Sequence, residues 1–161
     1  MIAVISDTHM PKGERELPAG CVEKIREAEA LIHAGDFSAV SVLEDLESLC
    51  PVVIAVHGNV DDAGLRRRLP ESLEVDVGGR TVALIHDAGP SNGRLGRMRG
   101  RFPGADAVVF GHSHLPLHEE RDGFQIFNPG SPTERRRAPR RSMGLLHPTA
   151  TGLRFEHIWL G

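Results

Sequence analysis

A chain of 161 residues, 40% hydrophobic and with a formal net charge of −3, has the length and apolar content of one globular domain spanning 1–161, which excludes intrinsic disorder. The slightly negative balance argues against a dedicated nucleic-acid or anionic-membrane binder. No apolar run reaches the roughly 20 residues of a membrane helix. The segment Met1 to Asp7 has no basic stretch ahead of its apolar residues, unlike a signal peptide, so a cytoplasmic protein is expected.

The first half alternates strand and helix. Ile2 to Ser6 reads as a buried strand, and a helix follows over Gly20 to Glu29 with Cys21, Ile25 and Ala28 on one face. Cys21 and Cys50 are isolated and read as buried thiols. Ala30 to His33 is the next strand. Ser41-Val42-Leu43-Glu44 has the capping-box form, and the helix it would open carries Val42, Leu43, Leu46 and Leu49 inward before Pro51 stops it. Val52 to Val56 is a third strand, and a short helix from about Asp62 is closed by Pro70.

The second half favours hairpins. Leu73 to Val77 and Arg80 to Ile85 flank Gly78-Gly79, a two-residue turn signal. Ser91 to Phe102 is a basic helix with Leu95 and Met98 inward. Asp106 to Phe110 is a strand. Leu117 to Arg121 and Phe124 to Phe127 meet at Asp122-Gly123, and strands over Met143 to His147 and Leu153 to Leu160 complete the chain. Such an order implies an α/β fold in which two mixed sheets pack together with helices outside.

Metal-ligating residue types recur at one end of these strands. Asp7 and His9 follow the first, Asp36 the second and Asn59 the third. His86 ends the strand beginning near Arg80, and His112 and His114 follow Phe110. Ligands collect at the carboxyl ends of parallel strands. Carboxylate and imidazole suit Mn, Fe, Ni or Zn. In extended backbone the i, i+2 pairs Asp7/His9 and His112/His114 would each project to one side. Gly35, Gly58 and Gly111 stand directly before Asp36, Asn59 and His112, where glycine would let backbone approach a crowded site. Each residue alone has a bland explanation as a turn, cap or surface side chain. Their recurrence at five strand ends favours a metal site.

The series Asp7-Thr8-His9, Gly35-Asp36, Gly58-Asn59, His86 and Gly111-His112-Ser113-His114 resembles the calcineurin-like metallophosphoesterase superfamily. Gly58-Asn59-Val60-Asp61 and Asn128-Pro129-Gly130-Ser131 resemble its small bacterial and archaeal phosphodiesterase branch. The resemblance implies a four-layer α/β/β/α sandwich and two divalent metal ions, with manganese first and iron, nickel or zinc as alternatives. Asp7, His9 and His114 would bind one metal; Asn59, His86 and His112 would bind the other; Asp36 would bridge, one carboxylate oxygen for each cation. The implied reaction is in-line attack of a metal-bridging hydroxide on phosphorus, with Asp36, Asn59, His86 and His112 at the reacting centre. The implied partner is a small-molecule phosphate ester, with no membrane or nucleic-acid partner; a homodimer is compatible with it.

Two departures from the family pattern matter. Many relatives carry a leaving-group His right after the Gly-Asn pair, where this chain has Val60, so esters with good leaving groups are expected substrates. Asp87 stands where relatives have Gly; it reads as a solvated loop residue or, alternatively, as a group orienting a ligand. Arg135-Arg136-Arg137 and Arg140-Arg141 read equally as a solvated loop or as an electropositive rim for phosphorylated substrates. His33 and His57 read as structural. The competing functions are a phosphomonoesterase, a nucleotide or pyrophosphate hydrolase, and a non-catalytic scaffold like the retromer subunit of similar fold.

Overall fold

The apolar runs of the sequence become strands whose two faces look into different cores. The computed structural model describes residues 1–10, 13 and 15–161. Its elements are β1 (Ile2–Ile5), α1 (Ala19–Glu27), β2 (Ala30–His33), α2 (Val40–Leu49), β3 (Val53–Ala55), α3 (Ala63–Arg68), β4 (Ser72–Val77), β5 (Arg80–Ile85), α4 (Arg94–Arg101), β6 (Ala107–Val109), β7 (Leu117–Arg121), β8 (Phe124–Asn128), β9 (Arg141–Pro148) and β10 (Leu153–Leu160). They form two five-stranded sheets, ordered β10-β9-β1-β2-β3 and β4-β5-β6-β8-β7.

The period-2 alternation of strand side chains separates the layers. In β1, Ile2 and Val4 face the second sheet, where they share a core with Val82, Leu84, Val109 and Phe127. Ala3 and Ile5 face the other way, against Cys21 and Ile25 of α1 and Val42, Leu43 and Leu46 of α2. In β5, Ala83 and Ile85 pack with Leu95 and Met98 of α4. The result is the α/β/β/α sandwich. Burying each such Leu, Ile or Val side chain contributes roughly 1.5–3 kcal/mol, and among the described residues the large hydrophobic side chains left exposed are Val52, Val60, Leu115 and Trp159.

Direction is what aims the candidate ligands. β1, β2 and β3 are mutually parallel, as are β5, β6 and β8. The carboxyl ends of each parallel set therefore lie at one edge of its own sheet.

Local chemistry explains the boundaries. Gly78 and Gly79 have φ of 59° and 82°, and Asp122 and Gly123 of 50° and 79°, the left-handed pair that a tight hairpin requires. Asp62 caps α3 by accepting from Leu65 N at 2.9 Å. The capping box expected at Ser41 does not form. α2 starts at Val40 with Ala39 as its cap and no side-chain cap bond, because Val40 packs against the α1–α2 core and draws the helix start ahead of Ser41. The expected helix from Ser91 starts instead at Arg94, after a turn ending on Gly93 at φ 74°. Both cysteines are free and buried, and burial pushes the Cys21 thiol up to about 12. Among the described residues no helix is long and apolar enough to cross a membrane.

Candidate metal centre

All seven candidate ligands converge. Asp7, His9 and His114 form one group whose ligand atoms lie within 4.8 Å of one another, and Asp36, His86 and His112 form a second. The groups touch. Asp36 Oδ2 lies 3.1 Å from His86 Nε2 and 3.6 Å from His9 Nε2. Asp7 Oδ1 lies 3.4 Å from His114 Nε2 and 3.8 Å from both His9 Nε2 and His86 Nε2. Asn59 joins the second group, its Oδ1 being 3.0 Å from His86 Nε2 and 3.2 Å from His112 Nδ1. Asp7, His9, Asp36, His86 and His114 are buried, while Asn59 and His112 sit at the solvent edge.

The atoms that face the centre are the ones a cation would use. Asp7 Oδ1 and His9 Nε2 are buried with no hydrogen-bond partner among the described residues. Leaving buried polar atoms unpaired is costly, and a bound cation removes that cost. The remaining atoms of these side chains are tied down elsewhere. Asp7 Oδ2 accepts from Ser6 Oγ at 2.7 Å and from His112 N at 3.0 Å. His86 Nδ1 donates to the Ala34 carbonyl at 2.7 Å, which leaves Nε2 as the nitrogen that faces the centre and would ligate a cation. His114 Nδ1 lies 3.4 Å from the Glu134 carbonyl in the same sense. The donor set therefore fits divalent ions.

The electrostatics agree. Burial works to raise the Asp7 pKa, but His9, His86 and His114 outweigh it and hold the carboxyl below its ordinary value. Asp36 is likewise lowered: burial opposes ionisation, and His86 with the Val60 N–H overcomes it. Burial works to lower His86, yet Asp36 and Asp7 raise it to about 9, so in the absence of a cation Nε2 holds a proton shared with these carboxylates, which a bound metal would displace. Both carboxylates are thus ionised at neutral pH, as metal ligands must be.

Two expectations about this geometry are corrected. The i, i+2 pairs do not use extended backbone. Asp7, His9, Asp36, His112 and His114 all have φ between 46° and 74°, so the left-handed conformation aims them into the centre. Such strain collects at functional sites. Nor does Asp36 offer one oxygen to each side. Its Oδ1 accepts from Val60 N at 3.0 Å, and Oδ2 alone faces both histidine groups. The glycines do act by close approach: a Cβ on Gly58 would collide with the Asp36 carboxylate, and one on Gly111 with Ser6 Oγ and Asp7 Oδ2.

The profile of the calcineurin-like phosphoesterase superfamily domain matches residues 1–151. The chain belongs to the calcineurin-like phosphoesterase superfamily. A probable metallophosphoesterase of Methanothermobacter thermautotrophicus is 37% identical over 136 residues, covering 83% of this chain and 77% of that protein. A phosphodiesterase of Methanocaldococcus jannaschii is 28% identical, covering 80% of this chain and 82% of its own. Among solved structures, Vps29 of Entamoeba histolytica superposes with a TM-score of 0.78 at 20% identity, covering 99% of both chains, a likeness of fold alone.

The convergence of these side chains rests on further residues whose supporting roles the sequence did not reveal. Asp61 is buried, and its carboxylate accepts from three backbone N–H groups: Asp36 at 3.0 Å, Gly58 at 2.7 Å and Ser38 at 2.8 Å. It ties the loop after β2 to the loop after β3. Its place in Gly58-Asn59-Val60-Asp61 was the available signal. Arg66 of α3 braces the same loop through the carbonyls of Gly58, Asn59 and Asp61. Asn128-Pro129-Gly130-Ser131, which turns on Gly130 at φ 76°, is also a strap. Asn128 Nδ2 donates to the Gly111 carbonyl at 3.1 Å, Ser131 Oγ to the Asp7 carbonyl at 2.8 Å, and Thr133 Oγ1 to the Thr8 carbonyl at 2.7 Å.

His33 is a buried support. Gly35 N donates to its Nδ1 at 3.1 Å, which makes Nε2 the protonated nitrogen facing Thr8 Oγ1 at 3.1 Å. Burial pushes its pKa down to about 3. His57 is half-buried, its Nδ1 3.4 Å from the Gly58 carbonyl. Asp87 is exposed and caps its own turn through Gly89 N at 2.8 Å, with Oδ2 4.0 Å from His112 Nε2. Val60 is 48% exposed and offers no proton to a leaving group.

Proposed function

We propose that this superfamily member is a phosphodiesterase that works with two divalent metal ions. The observation that carries the proposal is the joining of two ligand groups, Asp7/His9/His114 and Asn59/His86/His112, through the single oxygen Asp36 Oδ2. Manganese fits this mixed carboxylate, amide and imidazole set, as do iron, nickel and zinc. Divalent ions held there supply Lewis acidity toward the phosphoryl group and an activated water nucleophile at neutral pH.

The protein's part is positioning and electrostatics. Asp36, held by Val60 N and braced by Asp61, keeps the two groups in register. His86 is kept in one tautomer by the Ala34 carbonyl. Exposed Asn59 and His112 form the solvent-facing edge, where an ester enters. A cleft of about 370 Å³ opens beside Asn59 and His86, large enough for a small ester group. With Val60 in place of an acid, departure of the alcohol relies on its own stability as an anion, which favours aryl esters. A phosphodiesterase named among the relatives supports diesters over monoesters.

A non-catalytic scaffold is the alternative, prompted by the Vps29 likeness of fold. The filled ligand positions and the unpaired buried atoms Asp7 Oδ1 and His9 Nε2 favour catalysis. Hydrolysis of bis-p-nitrophenyl phosphate with added manganese, abolished by chelator and restored by metal, is the expected result. Absence of turnover with every divalent metal tried would leave the scaffold reading.

A further inference from the structure

Two clefts adjoin the metal end, and they differ in charge. The cleft beside Asn59 and His86 is balanced, with Arg66 and Arg101 against Glu71 and Asp87. The other, about 640 Å³, is lined by Arg135, Arg136, Arg140 and Arg141 against Glu134, with Arg141 donating to the oxygen of Gly161 in the same wall. Its wall is continuous with the centre. Thr133 bonds the carbonyl of Thr8, between Asp7 and His9, and the Glu134 carbonyl lies 3.4 Å from His114 Nδ1.

The positive charge in this cleft is only partly neutralised. Arg136 Nε lies 3.4 Å from Glu134 Oε1, and Arg15 Nη2 lies 3.2 Å from the same oxygen. This one carboxylate is therefore shared between two guanidinium groups. Arg140 makes no ion pair among the described residues and is exposed. Guanidinium groups so clustered match phosphoryl oxygens in geometry and charge. The lining has no aromatic ring, so there is no stacking platform for bases.

Resting on the phosphodiesterase reading, we infer that the arginine cleft binds a second, non-reacting phosphoryl group of the substrate while the scissile diester lies at the metal end. The substrate class is then a phosphodiester that carries a further phosphoryl group, recognised by charge. Arg136 and Arg140 are the specificity-determining residues.

Two measurements test this separately from the chemistry. On metal-stripped protein, calorimetric titration with inorganic tripolyphosphate should show salt-sensitive binding that Arg140→Glu weakens about tenfold or more, and Arg136→Gln less. Absence of binding by the wild type, or no change in Arg140→Glu, overturns the inference. On manganese-loaded protein, thymidine 5′-(p-nitrophenyl phosphate) bearing a 3′-phosphate should exceed the same ester without it about tenfold in kcat/KM, through KM, and Arg140→Glu should bring that ratio towards one. Equal kcat/KM for the two probes in the wild type overturns the inference and leaves the phosphodiesterase reading standing. Hydrolysis of neither probe, with tripolyphosphate binding intact, overturns the phosphodiesterase reading and the assignment of the bound phosphoryl to substrate together.

Discussion

Replacing Asp61 by Asn keeps its shape and removes its charge. The carboxylate accepts from Asp36 N and Gly58 N on Oδ2 and from Ser38 N on Oδ1. An amide has one acceptor oxygen, and its NH₂ must face a backbone donor. The less costly orientation turns NH₂ towards Ser38, losing one charge-assisted bond worth about 1.5–3 kcal/mol and weakening two others by roughly 1 kcal/mol each. The total is about 3–5 kcal/mol, concentrated on the loops that carry Asp36 and Asn59. Urea unfolding of metal-stripped protein should show this loss, and manganese titration should show affinity reduced about 10- to 100-fold, the scale expected when a group supporting a ligand is removed. Wild-type stability together with wild-type manganese affinity in Asp61→Asn would refute the bracing argument.

Asp36→Asn should lose most of its metal content and activity while remaining folded, measured by elemental analysis and ester hydrolysis; full retention of both contradicts its shared position. Aryl diesters should be turned over well ahead of alkyl diesters because Val60 cannot donate a proton, and equal kcat values would contradict this. His33 is held near 3 in the fold against an ordinary 6.5, so the unfolded chain binds the extra proton. Its contribution is intact above about pH 6.5, declines as pH falls below that value and is fully lost below about 3, the loss reaching about 2 kcal/mol at pH 5. Metal-stripped wild type should therefore lose about 2 kcal/mol more than His33→Asn between pH 7 and pH 5 by urea unfolding, and parallel pH profiles would contradict the tautomer assigned to His33.

Much of this was legible because the strands are short apolar runs with abrupt polar ends. Ala30 to His33 matches β2 in full, and the turn signals Gly78-Gly79 and Asp122-Gly123 set both hairpins. Candidate ligands were legible because Asp, Asn and His recur after successive strands. The left-handed backbone at Asp7 and His9 was not, since φ at a non-glycine residue is fixed by tertiary bonds such as Asp7 N to Gly35 O and His9 N to Asp36 O. The capping box at Ser41 failed because burial of Val40 moved the helix start. Asp61 was legible as part of Gly58-Asn59-Val60-Asp61, but its role was not, because its partners are backbone N–H groups, which no residue type encodes. The roles of Ser131 and Thr133 depend on contacts more than a hundred residues away, to Asp7 and Thr8.

Anomalous diffraction from crystals grown with manganese tests the pairing of two ions most directly. Two strong peaks per chain are predicted, one within ligand reach of Asp7, His9 and His114 and the other of Asn59, His86 and His112, with Asp36 Oδ2 against both. A single peak, or peaks away from these side chains at saturating manganese, would contradict it.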